Sequence, residues 1–286
     1  MVQIFETLGK QLPKTGKHFK EFYLGNAFIT ELKENTYSDI TFNAITIENN
    51  SNLKTIHRNA FNTTDQVTYY ISFMFNPKLT SPDNSLFEAL GKFAKLAHIY
   101  LCFNNITEIP SNAFGNVLGK KLAILFLRGK SIKKFENHAL FYLKNLKFIN
   151  ILDTSIEYFP ENAFEFKDEL NETLFIQLEL NKLLNSSGFS QDSLTKFKRP
   201  TSIELLQGFP YLDEKPFYRF LRANAKNSLQ LTQVSLNCSD CRNYWLIREQ
   251  ALGYQQLILD TRIGYETKCL NGKSLNDTGN FIGCEN

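Results

Sequence analysis

Three consecutive stretches of this chain repeat one spacing of apolar side chains, and that spacing excludes most folds. The first runs Leu96, Ile99, Leu101, Asn104, Ile106, Ile109, Pro110 and Phe114. The second has Leu122, Leu125, Leu127, Ile132, Phe135 and Leu140, and the third Leu146, Ile149, Ile151, Ile156, Phe159, Pro160 and Phe164. Apolar residues at i, i+3 and i+5 fit neither the period of an amphipathic helix nor the alternation of a simple strand. A unit recurring every ~20–50 residues points to stacked coils, because one coil cannot bury its apolar side alone.

Weaker copies extend the pattern both ways. Upstream they are Phe19, Phe22, Leu24, Ile29, Leu32 and Tyr37; then Phe42, Ile45, Ile47, Asn50, Leu53, Ile56 and Phe61; then Ile71, Phe73, Asn76, Leu79 and Phe87. Downstream they are Ile176, Leu178, Asn181 and Leu183, then Ile203, Leu205, Leu212 and Phe217, with Leu231, Val234 and Leu236 as a last strand. Alternate residues of each short strand point inward. The asparagine after the strand can hydrogen-bond backbone groups where the chain turns away. Ala27, Lys130, Thr154 and Gly208 replace it in four copies, so irregular coils are expected there.

This pattern resembles the leucine-rich repeat of the longer, extracellular type. The resemblance implies an α/β solenoid, a horseshoe whose concave side is a parallel sheet, with about eight repeats plus a closing strand. The solenoid is placed at residues 19–236, after an N-terminal segment at 1–18 and before a cysteine-rich cap at 237–286. In the N-terminal segment Ile4, Phe5, Leu8 and Leu12 are spaced like one face of a short helix.

Four of the five cysteines, Cys238, Cys241, Cys269 and Cys284, fall at the end of the chain. A CxxC pair suits zinc or redox chemistry, but the other two cysteines form no second close pair and no βαβ pattern surrounds the first. The run Asn-Cys-Ser-Asp-Cys-Arg-Asn-Tyr-Trp-Leu-Ile and the later Cys-Leu-Asn-Gly resemble the C-terminal cap of extracellular leucine-rich-repeat proteins. That family usually starts its cap with CxC, whereas this chain has CxxC. The resemblance implies bridges Cys238–Cys269 and Cys241–Cys284, with Trp245 in the cap core. The same segment resembles secreted arthropod proteins akin to the non-catalytic subunit of a shrimp (Oplophorus) luciferase, which implies a partner protein and no light emission here.

Two disulfides require an oxidising compartment. An extracellular protein is therefore expected, its signal peptide removed or missing from this sequence and no N-terminal cysteine cap in view. Glycosylation is expected at the sequons Asn49, Asn62, Asn105, Asn171, Asn185 and Asn276, and least at Asn237, beside a bridged cysteine. No stretch approaches the roughly 18–20 consecutive apolar residues of a membrane span.

The 32 basic and 29 acidic residues nearly cancel, which gives no reason to expect nucleic acid. His18, His57, His98 and His138 form no metal motif, and no GxSxG elbow or phosphate-binding glycine loop is present. No enzyme, metal or cofactor is expected. The residues between the buried leucines should face outward. From the third to the sixth copy they form an apolar band. Tyr70, Met74, His98, Tyr100, Ile124, Phe126, Arg128 and Phe148 are accordingly the candidate contacts for a protein partner on the concave face. An ectodomain fragment of a membrane receptor or adhesion protein, and a carrier of an apolar small molecule, are the alternatives. Cys102, the odd cysteine, falls in the same band and could pair with another chain.

Overall fold

The structure, a computed structural model, describes residues 1–167, 170–182, 184–207, 209–251, 268–273, 275 and 283–284. Of the residues singled out above, Leu183, Gly208 and Asn276 lie outside these.

Nine strands form one sheet in sequence order, every pair parallel. They are β1 (His18–Gly25), β2 (Thr41–Glu48), β3 (Tyr70–Met74), β4 (His98–Cys102), β5 (Ile124–Arg128), β6 (Phe148–Leu152), β7 (Leu174–Glu179), β8 (Thr201–Leu206) and β9 (Ser228–Thr232). Parallel neighbours need a crossover between them, and here each crossover completes one coil of a solenoid. From the second coil on, the two strand residues at alternate positions, such as Ile71 and Phe73 or Leu125 and Leu127, are buried, while Phe22 and Leu24 of the first coil are half-buried. The return segment buries its own pair, such as Leu53 with Ile56 and Ile106 with Ile109.

Each strand ends at a residue in the left-handed region: Asn26, Asn49, Phe75, Phe103, Gly129, Asp153, Leu180, Gln207 and Gln233. This conformation turns the chain sharply, and its N–H can still reach the next coil. Asn49 donates to the Met74 carbonyl at 3.0 Å, Phe75 to Cys102 at 3.0 Å and Phe103 to Arg128 at 2.7 Å. Gly129 alone has φ of 121°, and a Cβ there would lie 3.1 Å from the Phe103 Cα, so glycine is required at that corner.

The asparagines form an interior ladder. The Asn50 side chain accepts from the Ala27 N–H and donates to the Leu24 carbonyl; the Asn76 side chain accepts from the Asn50 N–H and donates to the Ile47 carbonyl. Asn104 repeats the pattern with the Asn76 N–H and the Phe73 carbonyl. The ladder runs forward from both Ala27 and Thr154, but among the described residues the Thr154 side chain makes no bond back to the coil of Lys130, so the expected interruption is found on that side. The asparagine of the following coil needs only a backbone N–H to donate to it, which Ala27 supplies, and Thr154 donates from both N–H and Oγ1 to Asn181 Oδ1 at 3.0 and 2.7 Å. Lys130 is exposed and supplies no side-chain rung, and its coil is the one with the unusual glycine corner.

The abundance of phenylalanine, 26 residues, is explained by the far side of the coils. There Tyr37, Phe61, Phe87, Phe114, Phe164, Phe197 and Phe220 are buried, several in ring contact coil to coil, as Tyr37–Phe61 at 5.9 Å and Phe164–Phe197 at 6.0 Å.

The two ends differ. Helix α1 (Val2–Gln11) lies against the first coil and inserts Phe5 among Phe22, Tyr37 and Phe42. The rest of its expected apolar face is only partly used: Ile4 stays 61% and Leu8 40% exposed. At the other end the disulfides are Cys238–Cys269 and Cys241–Cys284, the pairs implied by the resemblance, so the extra residue in CxxC does not change the connectivity. Trp245 is buried and donates its indole N–H to the Leu212 carbonyl at 2.8 Å.

Candidate functional site

The sheet has one face in the core and one toward solvent, and strict parallel register lines up the solvent-facing side chains in rows. Tyr70, His98, Ile124, Phe148 and Phe175 are successive members of the first row; Ser72, Tyr100, Phe126, Asn150 and Gln177 of the second; Met74, Cys102, Arg128, Leu152 and Glu179 of the third. Adjacent members of a row sit about 4.8 Å apart by backbone spacing, which suits ring stacking. The rings use it. Within the second row Tyr100 lies on Phe126 at 4.5 Å with planes 9° apart, and across to the first row Tyr70 meets Tyr100 at 5.4 Å and Phe126 meets Phe148 at 5.5 Å, both tilted. His98 stands edge-on to Tyr70 at 6.3 Å.

All eight residues anticipated as contacts therefore fall on one face of four adjacent strands. Each is half-buried, largely by its neighbours in the band. Partial burial also pushes the Tyr70 phenol above its ordinary value. Beneath the rings Ser72 and Cys102 are covered almost completely, so Cys102 faces outward by register but is not open to solvent.

Two features of this face escape a reading of single copies. Phe75 and Phe103 occupy left-handed corners at the rim and stack in parallel, 5.1 Å apart and 6° from coplanar. Their signal was present: each directly precedes a ladder asparagine, a slot where a large ring is unusual. The second is polar. From β5 to β9 the side chains of Arg128, Asn150, Gln177, Glu204 and Thr232 are joined by hydrogen bonds of 2.6–2.9 Å. Aromatic and polar halves of the face meet at Arg128, whose guanidinium carbon lies 4.7 Å from the Phe126 ring centre.

Elsewhere the chemistry is dispersed. His138 pairs with Glu165 at 2.9 Å, His18 with the Thr41 hydroxyl, and His57 accepts from the Asn59 N–H. Among the described residues no three His, Cys, Asp or Glu side chains converge as metal ligands, and no helix is long and apolar enough to cross a membrane. An open recess of about 820 Å³ lies off this face, against Phe135, Ser155, Glu157 and Tyr158, with Lys134 and Glu136 paired on its wall. Of the sequon asparagines, Asn49, Asn105, Asn171 and Asn185 are exposed. Asn62 is half-buried, with its amide donating to Asn35 Oδ1, and Asn237 is half-buried, accepting from Ser239.

Residues 94–165, which span β4 to β6, match the family model described as leucine rich repeat. A comparison with curated proteins finds no match for the chain. Leucine-rich repeats are a non-enzymatic scaffold for protein–protein interaction, and the matched segment carries six of the eight band residues: His98, Tyr100, Ile124, Phe126, Arg128 and Phe148.

Proposed function

We propose that this chain is a secreted, non-catalytic binding protein that recognises a protein partner through the outer, concave face of its sheet. The observation that carries this reading is the continuous run of ring contacts Tyr70–Tyr100–Phe126–Phe148, half-exposed across four coils. A solenoid gains stability from side chains between its layers, and polar residues would serve equally well on a solvated face. A contiguous apolar band there is what an interface needs, since large aromatic side chains dominate binding energetics. Secretion is supported by two disulfides, which persist in oxidising compartments, and by four exposed sequon asparagines.

The test is affinity capture from the source's extracellular fluid, with the intact chain and the Tyr100→Ala/Phe126→Ala double variant as parallel baits. A protein retained by the first and lost by the second is expected. The double variant keeps its circular dichroism spectrum and loses about 2–4 kcal/mol of stability, the worth of three ring contacts. Equal retention on both baits overturns the reading.

A further inference from the structure

Among the described residues, Arg128 is the one Lys or Arg on the solvent-facing rows of β2 to β9. Its Nε donates to Asn150 Oδ1 at 2.9 Å. Asn150, fully buried, donates from Nδ2 to Gln177 Oε1 at 2.6 Å. Gln177 donates from Nε2 to Glu204 Oε2 at 2.9 Å, and Glu204 Oε1 accepts from the Thr232 hydroxyl at 2.7 Å. The ends of this relay determine its direction. A carboxylate accepts only and a guanidinium donates only, so each amide between them has one orientation that satisfies both neighbours. Glu204 thereby holds Arg128 in place from three strands away.

With Nε committed and the guanidinium against Phe126, Nη1 and Nη2 have no hydrogen-bond or ion-pair partner among the described residues. A planar fork with two free donors, its orientation set in advance, matches the two oxygens of a carboxylate. The coils that carry this residue are basic in sequence. Between Gly91 and Ile156 the chain carries ten Lys and Arg against three Asp and Glu, while the whole chain has 32 against 29.

We propose that Arg128 is the anion-reading residue of this face, receiving an Asp or Glu side chain of the protein partner beside an apolar residue that lies on Tyr100 and Phe126. The proposal rests on the protein-binding reading above and specifies its partner's chemistry. Asn150, Gln177 and Glu204 are positioning residues, which act through Arg128.

The experiment selects a phage-displayed random peptide library on the immobilised full chain, then measures an enriched synthetic peptide against variants. Enriched peptides are expected to carry Asp or Glu next to an aromatic or aliphatic residue. Arg128→Gln should weaken binding about 10- to 100-fold, as loss of a charge-assisted pair does. Arg128→Lys, which keeps the charge and most of the stem, should still weaken it several-fold, because an ammonium cannot offer the paired donors. Gln177→Leu should weaken binding in the native background and have no further effect in the Arg128→Gln background, a coupling that general loosening of the sheet would not produce.

Enriched peptides without an acidic residue, or acidic ones bound equally by Arg128→Gln, overturn the proposal. So does a heparin fragment occupying the face where no acidic peptide is selected. In those cases binding that still falls with Tyr100→Ala leaves the protein-binding reading standing. Peptides indifferent to Tyr100→Ala, or no enrichment at all, remove both.

Discussion

The side chain of Cys102 projects from the outer row of β4 between Met74 and Arg128, yet only 2% of it is exposed. Its register could be anticipated from the spacing of Ile99 and Leu101. Its cover could not, because that depends on which way the neighbouring side chains lean. Burial pushes the thiol up to about 11, with the nearby Arg128 charge opposing the shift. A buried, protonated thiol is a poor nucleophile, so the disulfide to another chain considered for this cysteine has no accessible sulfur to start from. Iodoacetamide at neutral pH should leave Cys102 unmodified in the native protein and alkylate it after denaturation, as mass spectrometry would show. The folded state holds this proton more tightly than the unfolded state. That contribution to stability is complete below the ordinary thiol value of 9.0 and is lost as pH rises toward 11. Cys102→Ala should therefore lose less stability than the native chain over that alkaline interval.

Where the ladder runs, a coil is completed by a rung that belongs to the next one, and this explains which parts of the pattern were legible. The leucine positions were legible because burial demands an apolar side chain. The fate of Ala27 and Thr154 was not, because a rung can be received by any backbone N–H and a threonine hydroxyl can stand in for half of an amide. The polar relay was hidden for another reason: Asn150, Gln177 and Glu204 sit in coils of unequal length that only strand register brings into line, and Arg128 reaches them from the neighbouring row. Loss of a rung should have graded effects. Asn76→Leu strands the Ile47 carbonyl and the Asn50 N–H in the interior and should cost about 2–4 kcal/mol. Thr154→Val keeps the N–H bond to Asn181 and loses only the hydroxyl's, so about 1 kcal/mol is expected. Urea denaturation of the two variants gives the comparison, and equal losses would deny the ladder its role.

At the scale of the whole molecule the coils touch only their neighbours, so local losses should stay local. The C-terminal bridges close loops of 31 and 43 residues, each worth about 4 kcal/mol in the chain-entropy picture. Cys238→Ser/Cys269→Ser should speed amide exchange in β9 and β8 while β4 to β6 stay protected. Uniform acceleration along the sheet would instead mean that the solenoid opens as one unit. The cysteine pairing was legible through the resemblance of the cap, whereas the way α1 sits, on Phe5, Met1 and Leu12 with Ile4 and Leu8 left outside, depends on packing that spacing alone does not report. The contrast between a disulfide-stitched end and one held by side-chain packing alone has a mechanical consequence. Under tension applied between its termini the molecule yields like a zip fastener, opening from α1 and β1 toward the cap. Successive corners are 23 to 28 residues apart, so each coil that gives way pays out roughly 80–100 Å of chain at ~3.3–3.6 Å per residue. The bridged coils act as the stop at the end of the track.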